Sequence, residues 1–178
     1  MTTSWLHTFT LKYQIAERGK DLDALIEQLG EAGCDDALVG IGQPGRLALR
    51  FEREASSGQQ AIRSALADVK RACPGAKLIE AAPDFVGLSD VAEIVGVSRQ
   101  NMRQLMLAHS VSFPAPVHEG SSSIWHLAHI LTWLESEGGY NLERSIVETS
   151  KATLEVNLAK EARQLSFHAA EDLQRLIA

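Results

Sequence analysis

The residues with the most informative chemistry lie in one stretch, SRQNMRQLML, at positions 98–107. In the DNA major groove, Arg pairs with the edge of guanine, and Gln or Asn pairs with adenine. Side chains of these types occupy five of six consecutive positions: Arg99, Gln100, Asn101, Arg103 and Gln104. This composition is typical of a helix that reads base pairs. It predicts that the exposed face of helix 98–108 binds double-stranded DNA.

Two helices joined by a tight turn must position these side chains. N-caps are predicted at Ser89 and Ser98, because a Ser side chain can accept a hydrogen bond from the first turn of a helix. Between the helices lies Gly96, where a sharp corner requires a positive φ. Five small or apolar side chains have the spacing to pack the helices together: Val91, Ala92, Val95, Met102 and Leu105. The pattern predicts a helix-turn-helix.

The sequence that follows predicts a hairpin and a further helix. An FPAP turn at 113–116 leads to a short strand at 117–118, a polar tip at 119–123 and a return strand at 124–125. The last helix of this unit has an inner face formed by Ile130, Trp133 and Leu134.

These motifs occur in an order known from one group of DNA-binding proteins. Residues 87–136 resemble the winged helix-turn-helix of the AlpA, excisionase and MerR-like group. The motifs that carry the resemblance are the GVS turn at 96–98, the FPAP turn, the hairpin and the ILTWL segment at 130–134. The resemblance implies that helix 98–108 enters the major groove and that the hairpin, or wing, reaches phosphates or the minor groove. The DNA-contacting residues that it implies are Ser98, Arg99, Gln100, Asn101, Arg103, Gln104, Ser121, Ser122 and Ser123.

Residues 1–83 form a separate unit with an alternating pattern. Phe9, Leu11, Tyr13 and Ile15 alternate with polar residues, which indicates a half-buried strand. A helix is predicted after Asp21, with an apolar face made of Leu22, Leu25, Ile26 and Leu29. Two further strands, a helix capped by Ser56 or Ser57 and a last strand at KLIEA follow. The order strand, helix, strand, strand, helix, strand predicts an α+β, ferredoxin-like βαββαβ unit.

The outer face of this predicted sheet suggests what the unit does. It carries Thr10, Lys12, Gln14, Arg46, Arg50 and Glu52. An RNA-recognition domain of this topology places aromatic side chains there to stack on bases, and this face has none. We therefore expect an association or sensing unit that can bind a protein partner, rather than an RNA-binding one.

The C-terminal residues 138–178 predict one long helix. Apolar and small residues recur every three or four positions: Ile146, Ser150, Leu154, Leu158, Ala162, Leu165, Ala169, Leu173 and Ile177. A stripe this narrow suits a helix laid against another helix. It allows two packings, one against the N-terminal unit of the same chain and one against a second copy. We expect a dimerisation segment, and hence a homodimer or higher oligomer.

The overall composition limits the classes of protein. Apolar residues make up 45% and charged residues 22%, as in ordinary globular proteins. The net charge of −6 argues against a protein that coats nucleic acid by bulk charge. Cys34 and Cys73 lie far apart and predict buried thiols rather than a disulfide or a zinc site. No stretch of ~20 apolar residues and no signal-peptide pattern is present, so a cytoplasmic protein without a membrane partner is expected.

We expect no enzyme activity from this sequence. It has no nucleophile elbow, P-loop or GxGxxG motif. His126 and His129 are three residues apart, but no further ligand at metal spacing accompanies them. No catalytic residue, metal site or cofactor is therefore predicted.

Two functions remain after these exclusions. The first is a sequence-specific DNA-binding regulator, in which residues 1–83 associate or sense, 84–137 bind DNA and 138–178 dimerise. The second is a protein-interaction adaptor that uses the winged helix to dock another protein. Residues 84–137 contain two basic and six acidic side chains, which favours the adaptor, whereas the composition of helix 98–108 favours DNA.

Overall fold

The N-terminal strand alternates buried and exposed residues along its whole length, since successive side chains of a strand point to opposite faces. The structure is a computed structural model that describes residues 3–15, 22–40, 42–163, 173, 176 and 177. Its elements, in chain order, are β1 (Trp5–Gln14), α1 (Leu22–Glu31), β2 (Ala37–Gly40), β3 (Arg46–Ala55), α2 (Gly58–Ala72), β4 (Lys77–Ala82), β5 (Phe85–Val86), α3 (Leu88–Val95), α4 (Arg99–Ala108), β6 (Trp125–His126), α5 (Leu127–Ser136) and α6 (Arg144–Ala162). The fold class is α+β.

Four strands form an antiparallel sheet in the order β2-β3-β1-β4. The predicted order of strands and helices in residues 1–83 is therefore observed. Buried side chains from β1 and β3 meet on one face, where Phe9 and Phe51 stack with ring centroids 5.1 Å apart. Helices α1 and α2 cover this face, and the other face is open.

Two local predictions for the helices were wrong. Ile26 was expected in the apolar face of α1, but it is 43% exposed, because α1 contacts the sheet through the narrower stripe of Leu25 and Leu29. Ser89 was expected to cap α3, but α3 begins at Leu88 after an N-cap at Gly87. The side chain of Asp90 accepts a hydrogen bond from the Gly87 N–H at 2.7 Å, and this bond sets the earlier start. Ser57 caps α2, and its Oγ accepts a hydrogen bond from the Gln60 N–H.

Helix α6 lies against the N-terminal unit of its own chain. It packs on α2, β1 and β4 on the covered face of the sheet, and Ala152 belongs to the same core as Phe9. The predicted stripe does not describe this contact, since Leu158 is 55% exposed and four of the six buried residues of α6 are polar. Self-association through residues 138–178 stays a prediction. Residues 164–172, 174, 175 and 178 lie outside the described ranges.

Hydrogen bonds replace apolar contacts on the buried face of α6. The imidazole Nδ1 of His7 lies 3.0 Å from Oγ1 of Thr149, and both side chains are fully or almost fully buried. The amide of Asn157 pairs with the backbone of Ala81 through two hydrogen bonds, as a neighbouring strand would. Lys160 donates a hydrogen bond to the Ile79 carbonyl at 2.6 Å. Helix α6 therefore covers the β4 edge of the sheet, which an unpaired strand would otherwise expose.

A second core lies under α3, α4 and α5. Its buried side chains come from β5, α3, α4, the hairpin, α5 and the start of α6. Trp125 and Trp133 belong to it, the latter as the predicted inner face of its helix requires. Each is 5% exposed, and Phe113 makes an edge contact with both rings. Because α6 contributes Val147 to this core and Ala152 to the first, it joins the two units.

Candidate nucleic-acid interface

The turn between α3 and α4 has the geometry that the sequence predicts. Gly96 ends α3 with φ 77°, in the left-handed region, and its N–H and that of Val97 bond back to the last turn of α3. Ser98 is the N-cap of α4, and its Oγ accepts a hydrogen bond from the Asn101 N–H at 3.1 Å. Met102 is fully buried between the helices. The local sequence therefore fixes which side of α4 faces the solvent.

All six residues predicted to read DNA from α4 and its cap are exposed: Ser98, Arg99, Gln100, Asn101, Arg103 and Gln104. They do not form one uniform row. Arg99 and Arg103 are one turn apart and face the hairpin, where both line a cleft. Gln100 and Gln104 are also one turn apart and lie on the neighbouring strip of the helix. The helix thus offers a basic strip next to an amide strip.

The hairpin forms with a short ladder and a polar tip. His118 and Ile124 form an antiparallel bridge, and the Val117 N–H donates to the Ile124 carbonyl at 2.7 Å. Ser121 and Ser122 at the tip are exposed, whereas Ser123 is partly buried. The return strand continues as β6, which pairs antiparallel with β5. The sequence pattern missed β5, because two residues are too few to show an alternation.

The structure brings the basic strip and the tip of the hairpin together around one cleft of about 710 Å³. Arg99 and Arg103 line one side and Ser121–Ser123 the other, with the Phe85–Asp90 segment and Trp125 completing the walls. Five of the nine predicted site residues therefore share one concave surface. The other four, Ser98, Gln100, Asn101 and Gln104, are exposed but do not line this cleft.

The charge at this cleft is modest. Arg99 and Arg103 have no ion-pair partner among the described residues, so their guanidinium groups can bind an anion. Asp90 lines the same cleft, but its carboxylate already accepts a hydrogen bond from Gly87. Glu119 is exposed in the wing. The two guanidinium groups can bind phosphates locally. Because the two carboxylates offset their charge, the cleft exerts no strong long-range attraction on DNA.

A buried polar cluster lies behind the hairpin, and no sequence pattern predicted it. Asp84 is fully buried and receives a hydrogen bond from the Asn157 side chain at 2.7 Å. Its other carboxylate oxygen lies 2.7 Å from Nδ1 of His126, at the junction of β6 and α5. The Asp84 carbonyl accepts the Leu127 N–H. The three side chains are far apart in sequence, so no spacing rule connects them.

The histidines of this region do not assemble a metal centre. The rings of His126 and His129 are 5.3 Å apart, and Nδ1 of His126 is engaged by Asp84. Across the described ranges, no group of three or more His, Cys, Asp or Glu side chains is placed to hold a metal ion.

No protein-family model, no curated protein and no solved structure matches the chain. None of the helices that the structure describes has the length and apolar composition of a membrane span.

Proposed function

We propose that this protein is a sequence-specific DNA-binding protein, a transcriptional regulator that reads the major groove with helix 98–108. Residues 84–137 act as a winged helix-turn-helix, and residues 1–83 as a ferredoxin-like unit for association or sensing. The observation that carries this proposal is the joint exposure of Arg99, Gln100, Asn101, Arg103 and Gln104 on a helix whose opposite side is buried through Met102. A helix held in this way can enter a groove about 12 Å wide.

The two strips of α4 suggest a division between base contacts and phosphate contacts. The amide strip of Gln100 and Gln104 has the donor and acceptor pair that adenine recognition needs. The basic strip shares its cleft with the serines of the wing, so one phosphate backbone passing through the cleft would meet guanidinium and hydroxyl donors together. The protein itself performs no catalytic step in this proposal, and it needs no cofactor.

The modest charge leads to a specific expectation about affinity. A surface with only two free guanidinium groups releases few counterions, so nonspecific binding is weak and its dependence on salt is shallow. Selectivity then depends on base contacts and on two copies binding two half-sites.

In vitro selection from random duplexes, followed by fluorescence anisotropy on the enriched sequence, tests the proposal. We expect one sequence motif to be enriched and to bind more tightly than a shuffled duplex. Failure to enrich any motif, with equally weak binding to all duplexes, would contradict it.

The excess of acidic residues around the cleft favours a second candidate, a protein-interaction adaptor. Six acidic side chains against two basic ones in residues 84–137 would repel DNA and suit a basic protein surface. In this case the same exposed α4 and cleft form a docking site, and the selection yields no motif.

A further inference from the structure

The open face of the four-stranded sheet is divided into a basic and an acidic half. The outward residues of β3 are, in order, Arg46, Ala48, Arg50, Glu52 and Glu54. The two arginines therefore lie in the first half of the strand and the two glutamates in the second half. On β1, Lys12 lies next to Ala48, and its Nζ is paired with Glu80 of β4 at 2.8 Å. The remaining outward residues of β1 are uncharged.

The four charged side chains of β3 are available to a partner. Arg46, Arg50, Glu52 and Glu54 are exposed, and none has an ion pair or side-chain hydrogen bond to another described residue. The inward-facing Arg53 differs, since it binds Asp36 and Asp68 and is 9% exposed. The charge pattern on the outer face therefore does not stabilise the described fold of the single chain.

The same face carries apolar side chains between the charges. Leu38 on β2 is 73% exposed and lies opposite Arg50, and Leu6 on β1 is 51% exposed and lies opposite Glu54. A shallow depression of about 580 Å³ beside Leu38 is lined by Arg50, Glu52 and residues 35–38. The face thus has apolar side chains that protrude, and a hollow beside one of them.

From this pattern we infer that the open sheet face binds the same face of a second copy, with the strands of the two sheets running in opposite directions. The two-fold axis lies between the two sheets, perpendicular to β3, and passes over the midpoint between Arg50 and Glu52. It places Arg50 of each copy opposite Glu52 of the other, so the pair occurs twice. The basic half of each sheet then faces the acidic half of the other. A two-fold axis parallel to the strands would instead bring like charges together.

The face supplies much of the area that such a contact needs. Its strands of 10, 4, 10 and 6 residues, with a rise of ~3.3 Å per residue and a spacing of ~4.8 Å, give a flat area of about 475 Å², and side-chain relief increases the accessible area. A specific interface buries about 800 Å² on each partner. Because α6 already covers the β4 edge, a continuous sheet cannot form on that side. The inference does not depend on DNA binding.

Two charge-reversal variants of the full chain test the inference. The first combines Arg46→Glu with Arg50→Glu, and the second combines Glu52→Arg with Glu54→Arg. Each variant alone sets like charges against each other across the two-fold axis, so we expect its dimer dissociation constant to rise at least about tenfold. An equimolar mixture of the two restores opposite charges at every pair, and we expect it to form a 1:1 heterodimer.

Sedimentation velocity and light scattering measure the assembly state, with circular dichroism as the check on folding. The mixture is its own control, because two misfolded variants could not rescue each other. Dimerisation that is weakened by added salt and restored by mixing supports the inference. A monomeric unmodified chain, variants that stay dimeric alone or a mixture that stays monomeric would each overturn it. Variants that stay dimeric alone would assign assembly to another surface, such as the C-terminal helix.

Discussion

Nδ1 of His126 lies 2.7 Å from Oδ1 of Asp84, and this contact joins the start of α5 to the segment that follows the first sheet. The other oxygen of Asp84 receives a hydrogen bond from Asn157 of α6. One buried carboxylate therefore connects the residue before α5 with the helix that covers the sheet. A loose linker at residues 83–84 would let the two units move independently, whereas these bonds fix their relation.

Replacing Asp84 should loosen both units. Asp84→Ala leaves one N–H of the Asn157 amide and Nδ1 of His126 without an acceptor, and each such loss costs ~1–3 kcal/mol. We expect the free energy of unfolding in urea to decrease by about 2–4 kcal/mol. Glu93→Ala, an exposed carboxylate on α3, is the matched control and should change it by less than ~0.5 kcal/mol. Equal effects of the two substitutions would show that the buried cluster does not stabilise the fold.

The turn between α3 and α4 requires glycine for its backbone conformation alone. A Cβ on Gly96 would meet no atom within 4 Å, but its φ of 77° is costly for any other residue. Gly96→Ala should therefore destabilise the protein by ~1–2 kcal/mol. Gly30→Ala is the contrasting variant, because Gly30 lies in α1 without a positive φ and with open space around it. Gly30→Ala should stabilise the protein by ~0.5–1 kcal/mol. The midpoint of thermal denaturation should therefore fall for Gly96→Ala and rise for Gly30→Ala.

The close approach of α2 and α6 requires the absence of a side chain at Gly58. A Cβ there would lie 2.7 Å from the carbonyl carbon of Glu148. Gly58→Ala must push the two helices apart, and we expect a loss of ~1–3 kcal/mol in chemical denaturation. Gly75→Ala is the control, since nothing lies within 4 Å of that position. A tolerated Gly58→Ala would mean that α6 is not seated against α2 in solution.

Base contacts by α4 would give a measurable loss in specific DNA affinity. Gln100→Ala combined with Arg103→Ala removes a base contact from the amide strip and a phosphate contact from the basic strip. A good base contact contributes ~1–3 kcal/mol, and a hydrogen bond to a charged group contributes ~1.5–3 kcal/mol. We expect the selected duplex to bind ~2–5 kcal/mol more weakly by fluorescence anisotropy. Arg63→Ala, an exposed arginine on α2, removes the same charge away from the interface and should leave affinity unchanged. Equal DNA affinity of the double variant and the Arg63→Ala control would show that α4 does not contact the DNA.

The thiol of Cys34 should make stability fall in alkaline solution. Burial, with the nearby Asp68 charge, raises its pKa to about 11. The unfolded chain loses this proton near pH ~8.5, so above that pH the folded state holds more protons than the unfolded state. The free energy of unfolding should therefore decrease as the pH rises from ~8.5 towards the folded pKa. Denaturation of Cys34→Ala across this range should show a shallower decrease, and an identical slope would contradict the assignment.

The sequence by itself determined most elements and the exposed side of α4. Alternation in β1 and β3, the Ser57 and Ser98 caps and the positive φ of Gly96 all follow from contacts within a few residues. Such contacts have the same geometry wherever the segment is placed, so pattern and residue type suffice to predict them. The exposure of Arg99, Gln100 and Arg103 on the side of α4 opposite Met102 follows from the same local rules.

Only the tertiary structure decided which polar residues are buried and how the units are joined. In the sequence, α6 shows only a weak apolar stripe, and nothing local indicates that its polar face is buried. The partners of that face, His7, Ala81 and Asp84, lie more than 70 positions away. Hydrogen bonding makes the burial of Thr149 and Asn157 favourable, and no hydrophobic period records that pairing. The meeting of Arg99 with Ser121–Ser123 also depends on long-range packing, since α4 and the wing rest on one shared core.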